Sequence, residues 1–433
     1  MLYYLAMNTK KRQKFRVVTL GCRTNQYESQ AFRDQLLQMG YEPAEGKEDA
    51  DLCIVNTCTV TESADSRSRY EIRQLAKKNP HAKIIVTGCS VERQPEKIEA
   101  IEGVAQLVKN ADKEILLEKV FPGEDLPEFS IRNFDAHTRA FVKVQDGCNS
   151  FCTYCIIPYV RGRSRSRTMG QVLEEVKDLI ANGYKEIVLT GINIGDFDGG
   201  ADEPRRLAEL VKEVDAVPGL ERLRVSSIDP DEVDDEMLET IINGKKTCRS
   251  MHIVLQSGSN VVLKRMNRKY TRQMFMDTVS RLRSACSDFT FTTDVIVGFP
   301  GETERDHQET LEVLQEVQFA KVHMFPYSPR PRTRAALYSD RVSADVIQRR
   351  KQEVLRLSEE IAFNLRSSYV GRRMSVLTEN YDDLHTEMIS GHTDNFLPVM
   401  VPKAALRPNT MIEVECRENT AAALIGKVVG IGS

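Results

Sequence analysis

Residues 15–40 read FRVVTLGCRTNQYESQAFRDQLLQMG. The first eight form a short apolar strand that stops at Gly21 and Cys22, and from Gln26 to Met39 the apolar side chains return at helical spacing. The unit recurs: DLCIVNTC ends at Cys58 before a helix beginning near Ser63, and AKIIVTGC ends at Cys89. Strands that alternate with helices need crossover connections, so the rhythm predicts a parallel sheet carrying helices.

Outward from this domain runs a polar, proline-containing connection, FPGEDLPEFSIRNFDAHTR, from Phe121. A second series follows in AFVKVQDGC, YKEIVLTG, LRVSS, HIVLQSG, FTFTTDVIVGFPGE and KVHMFPYS. Strand-helix units in this number suggest a full or partial β/α barrel, whose chemistry gathers at the carboxy-terminal ends of its strands. A long charged helix from about Ser343 to Ser367 precedes the short β-like runs MSVLTEN, FLPVMV, MIEVEC and LIGKVVGI, a small β domain that could close as a barrel. The expected organisation is α/β overall, with domains over 13–125, 137–366 and 367–433.

The chain has 433 residues, too many for one ordinary core. No apolar run approaches the roughly 20 residues of a membrane span. The opening MLYYLAMNTKKRQKF places apolar before basic residues, the reverse of a secretory signal, so a cytoplasmic protein is expected. In that compartment ten cysteines point to metal or catalytic use rather than disulfides. A formal net charge of -3 gives no global attraction to nucleic acid, so an RNA partner would need local basic patches.

Cys148, Cys152 and Cys155 form a C-x3-C-x2-C run directly after the strand FVKV. Three thiolates on one loop can wrap one face of an iron-sulfur cluster and leave one iron open. Zinc is the competitor, but a structural zinc site normally takes four ligands and no fourth lies nearby in sequence. Cys22, Cys58 and Cys89 each close a predicted strand, and parallel strands end on one edge, so these three can also converge. The alternative is that small apolar cysteines fill strand ends. Cys53, inside DLCIV, is expected to do only that.

With Tyr154 as the aromatic, the run CNSFCTYC resembles the C-x3-C-x-aromatic-C hallmark of the radical S-adenosylmethionine enzymes. The resemblance implies a 4Fe-4S cluster whose open iron is chelated by S-adenosylmethionine, and one-electron cleavage to methionine and a 5'-deoxyadenosyl radical. TTDVIVGFPGE, with Asp294, Gly298 and Glu302, looks like that family's fifth-strand motif, and LQSGS lies where ribose or methionine contacts are expected. The residues expected to touch the cofactor are Tyr154, Asn193, Ser226, Gln256, Ser257 and Asp294. The order GCRTNQYES, IVNTCTVT, VTGC and then the radical loop resembles the methylthiotransferases over almost the whole chain, the last domain being their TRAM module. In that family the first three cysteines hold a second 4Fe-4S cluster that carries or activates the sulfur. Cys248, Cys286 and Cys416 fall outside the pattern.

The resemblance implies two substrate classes, an adenosine beside the tRNA anticodon or a ribosomal-protein aspartate. RGRSRSR sets Arg161, Arg163, Arg165 and Arg167 at alternate positions, which on an extended segment share one face and could neutralise phosphates. The alternative is a solvated charged edge. RMNRKYTR and SPRPRTR add charge nearby, and Arg332 stands where a common family form has glycine. GCRTNQYES resembles the branch acting on N6-threonylcarbamoyladenosine, implying its conversion to the 2-methylthio derivative by sulfur insertion at adenine C2. The implied partners are tRNA, an external electron donor and a sulfur source, without DNA or membrane. Rival readings are a methylthiotransferase for isopentenyladenosine or for a ribosomal-protein aspartate, and an RNA-binding protein with structural clusters.

Overall fold

A computed structural model describes residues 13–46, 48–133, 138–200, 204–381 and 387–432. The opening segment and position 137, where the middle domain was expected to begin, lie outside them. The chain forms two compact units that divide between Asn133 and Phe134.

In the first unit, β1 (Lys14–Thr19), β2 (Glu42–Pro43), β3 (Leu52–Thr57), β4 (Lys83–Gly88) and β5 (Val104–Val108) form a parallel sheet in the order β2-β1-β3-β4-β5. Alternate side chains enter two cores: Phe15, Val17, Ile54 and Ile85 on one face, Cys53, Val55, Ile84 and Val86 on the other. A strand buried on both faces reads as a continuous apolar run, which is why DLCIV and KIIV stand out in the sequence. Thr61 caps the helix Glu62–Lys78 by accepting from Ala64 N at 3.1 Å.

Two expectations change here. The first helix spans Arg23–Gln38, starting directly after Cys22 rather than at Gln26, because its first turn is polar and carries no apolar periodicity. The first unit also continues past residue 125, where its domain was expected to end, to Asn133. Leu126 and Phe129 pack on the core, Pro127 O accepts from Gln35 Nε2 at 2.6 Å, and Asp34 Oδ2 accepts from Arg132 N at 2.5 Å and Asn133 N at 3.0 Å.

The second unit contains β6 (Arg139–Lys143), a short antiparallel pair β7 (Gln145–Asp146) and β8 (Arg165–Ser166), then β9 (Glu186–Thr190), β10 (Arg222–Val225), β11 (Ser250–His252), β12 (Thr290–Val297) and β13 (Lys321–Pro326). Parallel sheets β10-β9-β6 and β11-β12-β13 are joined by the parallel bridges Leu223–Thr247 and Ile228–Ile253. The result is a partial β/α barrel with strand order β6-β9-β10-β11-β12-β13. Of the run HIVLQSG only the first residue lies in a regular strand; beyond it, isolated bridges continue to Gln256, whose φ of +60° ends the extended backbone.

After the helix Ala344–Ser367 come β14 (Arg373–Tyr381), β15 (Met388–Thr393), β16 (Pro398–Pro402), β17 (Met411–Asn419) and β18 (Leu424–Ile431), a closed barrel in the order β14-β15-β16-β18-β17. Cys416 fills its core beside Val376, Val399 and Val414. No helix among the described residues is long and apolar enough to cross a membrane.

The small barrel is fixed to the amino-terminal ends of the strands. Glu186, buried at the start of β9, accepts from Arg224 Nε at 2.6 Å, with Arg222 at 3.8 Å and Arg139 at 4.0 Å. Arg222 donates on to His392 O (2.9 Å) and Ser375 O (2.8 Å), and Arg224 to Asp394 O (2.9 Å) and Thr393 O (2.8 Å). Burial would raise the Glu186 carboxyl, but Arg224, Arg139 and Arg222 outweigh it and hold the group below the usual range. Replacing Glu186 with glutamine leaves three guanidinium groups without their shared anion. Glu186→Gln should lower the stability of this unit by about 3–5 kcal/mol, measured by denaturant unfolding.

Candidate active site

All six strands of the partial barrel deliver their carboxy-terminal ends to the edge opposite Glu186. At that edge the cysteine loop leaves β7 through Gly147, whose φ is +73° and where a Cβ would overlap Arg163 O. Gln145 fixes the loop to its neighbour. Its Nε2 donates to Gly147 O (2.9 Å) and Ser164 Oγ (2.8 Å), and its Oε1 accepts from Ile192 N and Asn193 N at 3.0 Å each. From the far side Thr153 N donates to Met266 O at 2.9 Å, and Asn267 Nδ2 to Phe151 O at 3.2 Å.

Within this frame Cys155 N donates to Cys152 O at 3.0 Å, Ser150 N to Cys148 Sγ at 3.4 Å, and Arg268 Nη1 to Cys152 Sγ at 3.0 Å. Burial and then the adjoining Cys152 push the Cys155 thiol up to about 12, and burial also raises Cys148. Crowded, largely buried thiols give up their protons to a bound cation, so this donor set suits an iron-sulfur cluster. No group of three His, Cys, Asp or Glu among the described residues converges on a single metal ion. Cluster thiolates bind separate irons and need no common point.

The expected cofactor residues divide. Ser226, just past β10, and Gln256, past β11, each present a buried oxygen, Oγ and Oε1, without a hydrogen-bond partner in the protein. Such atoms at a strand-end edge suit a ligand rich in hydroxyl and amino groups. Asn193 Nδ2 donates to Glu232 Oε1 at 2.8 Å, and Asp294 is partly exposed with His252 Nε2 at 3.5 Å. Tyr154 packs edge-on to Phe299, its ring centroid 6.4 Å away. Ser257 departs from expectation: it is fully buried, its Oγ accepts from Ser259 N at 3.2 Å, and it lies 3.4 Å from Thr310 Oγ1, so it braces the turn. Glu302 likewise accepts from Gly298 N at 2.6 Å and pairs with buried Arg350 at 2.7 Å.

The arginine row also departs. Gly162, with φ +82°, interrupts the extended run. Arg161 is buried and pairs with Asp146 Oδ1 at 2.8 Å, Arg165 pairs with Asp146 Oδ2 at 3.0 Å, and Arg167 pairs with Glu175 at 2.6 Å. Only Arg163 points its guanidinium elsewhere, over the Phe151 ring at 4.3 Å. Of the two additional basic segments, RMNRKYTR is engaged too, Arg265 with Asp340 at 2.6 Å and Arg272 with Glu312 at 3.3 Å.

Three residues at this edge escape a reading of the sequence. Arg268 joins Cys152 to Asp229. Glu232 accepts from Asp229 N at 3.2 Å and fills the space a Cβ at Gly195 would need. The signal was SSIDPDE, an acidic run at a strand end. Burial and then Asp229 push Glu232 up to about 7. A carboxyl raised in the folded state adds stability that is complete below its ordinary value and is lost as pH rises through about 7. The thermal midpoint of the wild type should therefore fall more between about pH 5 and about pH 8 than that of Glu232→Gln, followed by circular dichroism.

In the first unit, register sets Thr19 beside Asn56 and Asn56 beside Thr87, so the strands end in step before Cys22, Cys58 and Cys89. Gly21, at φ +97°, comes so close to Cys58 that a Cβ would lie 2.7 Å from Cys58 Cβ and 2.9 Å from its Sγ. At Gly88, φ +102°, a Cβ would overlap Thr57. Glycine thus lets three strand ends approach, a cradle that larger residues would fill. Cys22 is exposed, Cys58 and Cys89 are buried, and Asn110 Nδ2 lies 3.8 Å from Cys89 Sγ. Cys53 sits in the core, its thiol raised to about 11 by burial.

Residues 142–314 match the family described as Radical SAM superfamily, and residues 14–109 the one described as Uncharacterized protein family UPF0004. The threonylcarbamoyladenosine tRNA methylthiotransferase MtaB of Chlamydia pneumoniae is 44% identical over 418 residues, covering 96% of this chain and 98% of that one. The chain belongs to the radical S-adenosylmethionine methylthiotransferases. MtaB of Bacillus subtilis is 39% identical, with 88% and 89% covered, and the tRNA-2-methylthio-N(6)-dimethylallyladenosine synthase of Finegoldia magna is 33% identical, with 96% and 94% covered. Among solved structures, the radical S-adenosylmethionine methyltransferase TsrM of Kitasatospora setae shares the fold at 15% identity and a TM-score of 0.55, covering 86% of this chain and 79% of that one. As a methylthiotransferase the protein is an enzyme whose cofactors are S-adenosylmethionine and two 4Fe-4S clusters.

Proposed function

We propose that this methylthiotransferase converts N6-threonylcarbamoyladenosine beside the tRNA anticodon to its 2-methylthio derivative. The observation that carries the reaction is the pair of three-thiol sets, each at the carboxy-terminal edge of a parallel sheet. Cys148, Cys152 and Cys155 hold one cluster, and Cys22, Cys58 and Cys89 the other. When bound, the clusters and S-adenosylmethionine supply one-electron reductive chemistry and the sulfur and methyl group to be transferred. The protein's own residues orient them: Gln145 and the turn at 266–268 hold the cysteine loop, and Ser226 and Gln256 offer oxygens to the nucleoside part of the cofactor. Arg268 places a positive charge on Cys152. The electron and the sulfur come from outside the chain, in the cytoplasm. The second unit divides in function near Ser367, and its barrel is the TRAM module.

The two cysteine sets separate by measurement. Reconstituted Cys152→Ala should form no 5'-deoxyadenosine under reductant. Cys58→Ala should still form it, with about half the wild-type iron and sulfide and no methylthio product. Undiminished cleavage by Cys152→Ala would sink the assignment.

The threonylcarbamoyl branch is supported by the names of the relatives at 44% and 39% identity, whereas the dimethylallyladenosine synthase stands at 33%. Nucleoside mass spectrometry of tRNA from a strain lacking the gene decides between them. The expected loss is methylthio-threonylcarbamoyladenosine; loss of the methylthio-dimethylallyl nucleoside in its place would shift the substrate.

A further inference from the structure

The rim of the cysteine loop carries side chains that neither thiol set uses. Phe151, between Cys148 and Cys152, has φ +47°, and Arg332 has φ +73°. Such values are uncommon for residues with a Cβ, and their concentration on one surface marks a site whose shape is held against local preference. The two residues belong to one stack. Arg163 covers the Phe151 ring at 4.3 Å, Phe151 meets Tyr159 edge-on at 6.1 Å and 90°, and Arg332 covers Tyr159 at 5.0 Å. Ala335 N donates to Thr153 O at 2.8 Å, so the segment bearing Arg332 is tied to the cysteine loop itself.

Both guanidinium groups are exposed, and among the described residues neither pairs with a carboxylate. That separates them from Arg161, Arg165 and Arg167, whose charges are matched inside the protein. An exposed guanidinium seated on an aromatic ring offers a flat face on which a base can stack and a fork that can take a phosphate.

We propose that Arg163, Phe151, Tyr159 and Arg332 form the cradle for the single-stranded RNA flanking the reacting nucleoside. This rests on the reading of the substrate as tRNA. For a ring carbon to reach the strand-end edge, the target nucleoside must leave its stack, and the neighbours it abandons lose a stacking partner. Phe151 lies inside the cysteine motif, so the flanking nucleotides pass over this rim. The planes of Arg163 and Arg332 replace the lost stacking, and their charges meet the adjoining phosphates. An acidic protein partner would use the charges but would have no need of the rings beneath them.

Arg332→Gly tests this cleanly, since glycine adopts φ +73° without strain. The full, cluster-reconstituted protein is titrated with an anticodon stem-loop RNA at several salt concentrations. The variant should bind roughly tenfold more weakly, with its salt slope reduced by about 0.7–1, and melt no lower than wild type. Arg332→Lys should restore the slope but only part of the affinity, because an ammonium does not stack. If the wild type binds this RNA and Arg332→Gly binds it with the same affinity and slope, the stack is an internal brace and the proposal is wrong. If the wild type itself does not bind, the tRNA reading falls and takes this inference with it.

Discussion

Parallel pairing forces every strand of a sheet to end on one edge, and the positions of this protein's chemical groups follow from that constraint. Thr19, Asn56 and Thr87 stand in register, so residues far apart in sequence leave the sheet as neighbours. A turn must follow each strand within a residue or two, and where it presses against a neighbouring strand end or loop a Cβ has no room. Gly21, Gly88 and Gly147 all have positive φ, and each immediately precedes a cysteine. The G-C pairs are thus a geometric device: the glycine permits the approach, and the cysteine is delivered by it.

The same directionality gives the second unit two different ends. At the strand starts Glu186 gathers Arg139, Arg222 and Arg224, and the arginines spend their remaining donors on carbonyls of the small barrel. Burying such a network brings little net stability over an apolar interface, but its directional bonds permit only one docking. At the strand ends Ser226 and Gln256 keep buried oxygens without protein partners, and burial and then Asp229 lift the Glu232 carboxyl to about 7.

Much of this was legible because it depends on local pattern. Apolar runs buried on both faces gave the strands, and the cysteines at their ends gave the thiol sets. The alternate arginines misled because the inference assumed an extended backbone; Gly162 breaks that run, and Asp146, from an earlier strand, captures two of the four. Ser257 looked like a ligand by its place in LQSGS, yet its hydroxyl turns toward Thr310 on a helix some fifty positions later. Arg268, Asp229 and Glu232 were hidden for the same reason. Their meaning lies in pairs across separate loops, and no local period encodes them.

The fate of the arginines bears on how a chain of net charge -3 handles a polyanion. Most of those near the cysteine loop are neutralised by carboxylates, so charge attraction cannot be spread over a broad face as in proteins that bind nucleic acid through many phosphate contacts. Recognition then has to be concentrated. A guanidinium carried on an aromatic ring beside the reacting edge combines charge with a stacking plane, and it discriminates an unstacked, single-stranded segment from a duplex, which a diffuse positive surface does not. The acidic balance of the chain therefore favours selection by shape and stacking close to the chemistry over general affinity for RNA.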